Sequence, residues 1–281
     1  MTRAEPRRVA LVTGAARGLG RAHAVRLAQD GLDVVAIDLC AAVETVPYPP
    51  ATPEDLAETV ATVHGLGARC LGLHADVRDA AAMEKAVDAA LSEFGRIDVV
   101  VANAGVSSFG RVWELTPQQW REVVDVNLTG TFHTVRPVVP AMIEAGRGGS
   151  IVLISSIAGL AALPNVAHYT AAKHGVTGLM RSLAVELAPY GIRANSVHPT
   201  TADTPMVQNP AFYALAGATT REHAARAYRK SNALPVPWVA AADVSNAVAW
   251  LASDESAFVT GTALPVDAGA LQPFRLPPGA A

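Results

Sequence analysis

The chain has 281 residues, 51% hydrophobic and 17% charged, so it can bury a sizeable core and shows none of the compositional marks of disorder. A net charge of −3 with no Lys/Arg cluster argues against a nucleic-acid surface. Cys40 and Cys70 are too few for a disulfide framework and lack metal-ligand spacing, and no apolar stretch reaches the ~18 residues of a membrane span. A cytoplasmic protein with no metal and no membrane partner is expected. Arg3, Arg7 and Arg8 ahead of an apolar run imitate a signal peptide, but Gly14, Arg17 and Gly18 interrupt that run within a few residues.

The first unit, residues 8–38, reads as strand, glycine turn, helix and strand. Val9, Ala10, Leu11 and Val12 are followed by the turn Thr13-Gly14-Ala15-Ala16-Arg17-Gly18-Leu19-Gly20, a helix over 21–30 and a buried strand over 34–37. A backbone that passes close to a pyrophosphate needs residues without Cβ, and the following helix offers unpaired N–H groups and a positive dipole end. Asp38 then closes the second strand, where a carboxylate can accept both ribose hydroxyls of NAD. Arg17 could instead pair with the 2′-phosphate of NADP. Contact repulsion between Asp38 and that dianion favours NAD, with Arg17 on solvent or the pyrophosphate.

Further apolar strands are expected over 69–74, 97–102, 150–154, 193–197 and 263–266, each buried on both faces. Between them lie helical patterns over 55–66, 79–94, 117–145, 169–188 and 241–253. The alternation predicts an α/β fold, a doubly wound parallel sheet with helices on both faces in one domain over 1–281. Two segments depart from it. In 39–54, Tyr48 sits among four prolines, so the chain leaves the second strand through a stiff loop. In 200–238, Asn209 before Pro210 and Thr219 before Glu222 mark the starts of two short helices between long loops, placed to cover a ligand.

The turn motif at 13–20, Asn103-Ala104-Gly105, Asn127, Ser155-Ser156 and Tyr169-x-x-x-Lys173 together resemble the short-chain dehydrogenase/reductases, over roughly residues 8–269. The resemblance implies a Rossmann-type fold and a catalytic set of Asn127, Ser156, Tyr169 and Lys173, with Asn127 supporting Lys173 through water. Its spacing selects Ser156 over Ser155. The chemistry is consistent with that set. Oxidising an alcohol requires a base within reach of its hydroxyl, and a free tyrosine with pKa ~10 is a poor one at neutral pH. Lys173, on the same helix face, would lower it, and Ser156 would hold the substrate oxygen.

Gly14, Arg17, Gly18, Leu19, Gly20, Asp38, Asn103, Ala104, Gly105, Tyr169, Lys173, Pro199 and Thr204 are the expected cofactor contacts. Asp76 and Val77 would meet the adenine, although Asp76 could equally cap a helix. Pro199-Thr200 replaces the family's frequent Pro-Gly and alters backbone freedom near the nicotinamide. Met206, Phe212, Tyr213 and Trp238, with 107–113 opposite, could line a substrate pocket or simply pack. His168 and His174 lack partners at metal spacing and read as packing or solvent residues.

The insertion, with His198-Pro199-Thr200-Thr201 and the 232–238 segment, is similar to the mycofactocin-coupled, carveol-dehydrogenase-like branch. That implies a small secondary alcohol or ketone as substrate, a nicotinamide that does not exchange freely, a mycofactocin redox carrier as possible partner, and a homotetramer. A 3-oxoacyl-type reductase and a non-catalytic dinucleotide sensor are the alternatives from other classes.

Overall fold

A computed structural model describes residues 7–272. Arg3 and both ends of the expected 1–281 domain lie outside those residues. Seven strands form one sheet in the order β3-β2-β1-β4-β5-β6-β7, every pairing parallel. They are β1 Val9–Thr13, β2 Asp33–Asp38, β3 Cys70–His74, β4 Val99–Ala102, β5 Gly149–Ile154, β6 Ile192–Pro199 and β7 Ala263–Val266.

Alternation along β1 shows how the sheet is buried. Val9 and Leu11 enter one core with α3 (Ala80–Phe94) and α7 (Ala167–Leu187), while Ala10 and Val12 enter the other with α1 (Gly18–Gln29), α2 (Pro53–Gly65) and α10 (Ala241–Ala252). This is the doubly wound arrangement expected. The chain order reverses between β1 and β4, and ligands bind at the carboxyl ends of the strands at such a point. Strands β3 and β7 depart from the expectation of burial on both faces. They are the two sheet edges, and their residues stay partly exposed.

The helix expected over 117–145 is broken into α4 (Pro117–Val124), a π turn (Asp125–Thr129), α5 (Gly130–Val135) and α6 (Val138–Ala145). Two causes are local. The Asn127 side chain donates to the Val123 carbonyl one turn earlier at 2.8 Å, and Pro137 brings no N–H to the ladder. In the 200–238 segment, Asn209 caps α8 (Pro210–Leu215) as expected. The cap of α9 (Arg221–Arg229) is Thr220, whose Oγ1 accepts from His223 N, so the Thr219–Glu222 spacing is one residue out of register. Asp79 rather than Asp76 caps α3. Among the described residues no helix is long and apolar enough to cross a membrane.

Candidate active site

A cavity of about 600 Å³ runs along the carboxyl ends of the strands, from the glycine turn and Asp38 at one end to Tyr169 and Ser156 at the other. Its first wall is the turn between β1 and α1. Gly14 has φ +66°, and a Cβ there would stand 2.9 Å from the Ala104 backbone. At Gly20 a Cβ would fall 1.9 Å from the Gly14 carbonyl oxygen. Packing of the turn on itself therefore forbids a side chain at Gly20, which does not reach the cavity wall. Gly18 and Leu19 do line it, and no side chain caps the first-turn N–H groups of α1.

Asp38 is held rigidly. Its Oδ2 accepts from Ala16 N and its Oδ1 from Cys40 N, both at 3.0 Å. Arg17 lines the cavity, and its guanidinium reaches the insertion, where it donates to the carbonyls of Pro49 and Pro50. Asp76 and Val77 line the cavity, with Asp76 gripped by Arg78. Burial pushes the Asp76 carboxyl up, but the Arg78 hydrogen bonds outweigh that and leave it below its ordinary range. Asn103, Ala104, Gly105, Pro199 and Thr204 complete this part of the wall. The Asn103 amide itself is turned away to the Thr13 and Gly14 carbonyls, stitching β4 to β1.

The 39–54 segment lies across this half of the cavity, with Val46 and Tyr48 on its wall. Four contacts pin it. Tyr48 Oη accepts from Ser107 N at 3.2 Å, Thr45 donates from N and Oγ1 to Glu122 at 2.9 and 2.6 Å, Gln118 donates to Glu44 at 2.8 Å, and Arg17 holds the two proline carbonyls. Burial drives the Tyr48 phenol well above its ordinary pKa, so it stays protonated.

At the other end α7 presents Tyr169 and Lys173 one turn apart, and β5 delivers Ser156 two residues beyond its end. Ser156 Oγ accepts from Ala158 N at 3.1 Å. Burial pushes the Tyr169 phenol up to about 12, and a hydrogen bond from Ser156 offsets part of that. Lys173 is 3% exposed and donates to the Ile154 carbonyl at 2.8 Å. Its Nζ lies 5.5 Å from the Tyr169 ring centre, and burial brings its pKa down to about 7. Burial penalises both charges and so works against the lowering of the tyrosine that the lysine is expected to bring. Behind Gly105, Asn127 donates its amide N–H groups to Val106 and Val123, leaving a buried Oδ1 unpartnered. A Cβ at Gly105 would stand 2.8 Å from that oxygen and 3.5 Å from Lys173 Nζ, so both groups border one small space.

Of the aromatic and apolar residues expected around a substrate, Met206 and Phe212 line the cavity. Tyr213 instead donates to Gln208, and Trp238 lies beneath the Arg221 guanidinium. From the 107–113 wall, Ser107 and Phe109 take part, whereas Trp113 is 75% exposed. Phe109, Phe212 and Tyr228 form a ring cluster with centroids 6.0 and 5.0 Å apart. Nothing in the local sequence marks Tyr228 or Leu215 as lining, since each arrives on a short helix whose docking is tertiary. His168 is fully buried against Ser108 Oγ at 2.9 Å, and His174 bonds the Thr170 carbonyl one turn back.

With this geometry in view, the sequence model of the short chain dehydrogenase family matches residues 8–211. The chain is a short-chain dehydrogenase. It is 53% identical over 266 residues to an uncharacterized oxidoreductase of Mycobacterium tuberculosis, covering 93% of this chain and 95% of the relative. It is 48% identical over 266 residues to (-)-trans-carveol dehydrogenase of Rhodococcus erythropolis, covering 93% and 96%. A crystal structure of carveol dehydrogenase from Mycobacterium avium in complex with NAD superposes with a TM-score of 0.93 at 50% identity, covering 95% of this dehydrogenase and 98% of that chain.

Proposed function

We propose that this dehydrogenase uses NAD to interconvert a compact cyclic secondary alcohol and its ketone, and that it keeps the nucleotide between turnovers. One observation carries the reading. Tyr169, Ser156 and Lys173 stand at one end of the cavity whose other end is Asp38 and the uncapped start of α1. A dinucleotide fits that span, its pyrophosphate at the helix N-terminus and its ribose hydroxyls on Asp38. NAD is favoured over NADP because the fixed Asp38 carboxylate would repel a 2′-phosphate, and Arg17 is committed to Pro49 and Pro50. The Mycobacterium avium relative, which carries NAD, supports this choice.

When bound, the nicotinamide supplies the hydride acceptor. Everything else falls to the chain. Ser156 Oγ accepts from Ala158 N, and its single O–H, set beside the Tyr169 phenol in the chain alone, would turn to the substrate oxygen and to the charge that develops there. Tyr169 takes the hydroxyl proton. Lys173 supplies positive charge beside the phenol, and Asn127 Oδ1 is suited to hold a water through which the lysine exchanges protons. The apolar wall of Phe109, Met206, Phe212, Leu215 and Tyr228 favours a hydrocarbon ring over a charged or acyl-carrier substrate. A carveol-type terpenoid alcohol, as named for two relatives, is the leading candidate.

The pinned insertion supports retention of the nucleotide, which requires an outside acceptor to reoxidise it in place. The likeness to the mycofactocin-coupled branch makes a mycofactocin carrier the proposed acceptor, in a cytoplasmic homotetramer. The test is turnover on a panel of cyclic secondary alcohols, with free NAD alone and with an artificial electron acceptor. Turnover on carveol with the acceptor and little without it supports the proposal. Failure on all secondary alcohols overturns it.

A further inference from the structure

The carbonyl oxygen of Ser156 accepts from two donors, Gly159 N at 2.9 Å and the imidazole Nδ1 of His198 at 2.8 Å. The second contact marks where the sheet stops holding the chain. The ladder between β5 and β6 makes its last backbone bond from Ser155 N to the Val197 carbonyl at 2.9 Å. One residue further, a side chain of β6 takes over as the rung. Ser196 Oγ stands 2.7 Å from Nε2 of the same ring, and Ser196 and His198 are both fully buried.

The partners fix the tautomer. A carbonyl only accepts, so Nδ1 carries the proton, and in the neutral ring Nε2 accepts from the Ser196 hydroxyl. Burial holds the His198 pKa below its ordinary value; the Ser156 carbonyl raises it somewhat, and Lys173, Arg181 and His174 lower it further. The neutral ring is therefore the resident form near neutrality.

We propose that His198 is a positioning residue for the reaction: its Nδ1–H, oriented by Ser196, fixes the Ser156 peptide so that the Ser156 hydroxyl faces the reacting oxygen. The side-chain anchors just upstream do not do so. Lys173 grips the Ile154 carbonyl, and Ser155 Oγ donates to the Lys173 carbonyl at 3.0 Å, both upstream of Ser156. Among the described residues, His198 and the local turn at Gly159 are the restraints on the Ser156 carbonyl, and of the two it is His198 that ties it to the sheet. Loss of a preorganised donor at a reacting oxygen costs ~10²–10³-fold, and loosening one costs a part of that.

This inference rests on the proposed role of Ser156, so the experiment separates the two. His198→Asn, His198→Gln and His198→Leu are made in the wild-type and Ser156→Ala backgrounds. Hydride transfer from trans-carveol to enzyme-bound NAD is followed in a single turnover, beside NAD retention and thermal unfolding. In the wild-type background, Gln and Leu should slow transfer about tenfold or more with NAD retention unchanged. Asn places an amide N–H where Nδ1–H stood and should restore the rate to within about threefold of wild type. In the Ser156→Ala background none of the three should slow transfer further, because His198 acts only through Ser156.

Equal slowing in both backgrounds, an Asn variant as slow as Gln, or wild-type rates throughout would each overturn the proposal. Should Gln and Leu fail to fold, Ser196→Ala carries the same comparison: slower transfer in the wild-type background alone supports the proposal, and any other result overturns it. If wild type oxidises no secondary alcohol, the activity reading falls by itself. Crystal structures of wild type and His198→Gln then decide whether the Ser156 carbonyl and Oγ move together, as the proposal requires, or stay in place.

Discussion

Tyr48 in the insertion accepts a 3.2 Å hydrogen bond from the backbone N–H of Ser107, two residues past the Asn103-Ala104-Gly105 turn. The contact joins a loop leaving β2 to a loop leaving β4, across the point where the sheet reverses its chain order. A dinucleotide lying between the two would have to part them to leave. Thr45 and Glu122 repeat the linkage further out, this time with a charged acceptor.

Opening the strap should therefore free the nucleotide. A single neutral hydrogen bond is worth ~1 kcal/mol, so Tyr48→Phe should speed NAD release about fivefold. Glu122→Ala removes both Thr45 bonds, but Glu122 is largely solvent-screened, and a further gain of only a few fold is expected. Release is measured by exchange of bound NAD for labelled NAD. Wild-type exchange faster than turnover would show the strap to be an ordinary surface loop.

Tyr169→Phe should lower turnover by ~10²–10⁴-fold while leaving bound NAD in place, since the phenol acts on the hydroxyl proton. Single-turnover kinetics beside the nucleotide content of the purified variant checks both halves. Turnover near that of wild type would remove Tyr169 from its assigned role.

Asp38→Ser should relax nucleotide choice. Charge-assisted hydrogen bonds are worth ~1.5–3 kcal/mol, which predicts a loss of NAD affinity of about ten- to a hundredfold. NADP should gain relative to NAD. The readout is the ratio of the two dissociation constants, and an unchanged ratio would place the ribose elsewhere.

Stability should depend on pH through Lys173. Its pKa falls from 10.5 when unfolded to about 7 when folded, so between those values the unfolded chain binds more protons. Stability contributed by this group therefore rises with pH from about 7 towards 10 and is lowest below 7. Lys173→Met should flatten that slope in the nucleotide-free protein. Thermal unfolding of both proteins from pH 6 to about 9.5 checks the difference, below the range where Tyr169 titrates.

Assembly offers a further check. On α7, Gly175 packs against Leu128 within the chain, where a Cβ would stand 2.7 Å from that side chain. A Cβ at Gly178 meets nothing within 4 Å, and Ala171 and Val185 are exposed on the same helix. Of the small residues on this helix, Ala171 and Gly178 are thus free for another copy, while Ala172 and Gly175 are used internally. Gly178→Leu should fold as wild type does and lower the mass seen in solution scattering. A wild-type monomer would refute the tetramer.

Features that rest on local pattern can be read from the residues without the fold. Short apolar runs alternating with helical periods dictate a parallel sheet covered on both faces, because neither element can bury its apolar surface alone. The glycine turn closing on Asp38, and Tyr169 four residues before Lys173, were legible because their spacings are set by one turn or one helix face. The capping-box spacing points to Thr219 although Thr220 beside it is equally able, and the docking of α9 chooses between them. The break at Asn127 does not show in the apolar period, because its local cause, the amide bonding the Val123 carbonyl, is held in place by a second bond to Val106 on another loop. Arg17 bonding Pro49 and Pro50, Tyr48 meeting Ser107, and His198 holding Ser156 all join residues more than thirty positions apart. No sequence period encodes such contacts. They arise when β1, β2, β4, β5 and β6 bring their carboxyl ends to one edge, and there the groups of the proposed reaction meet.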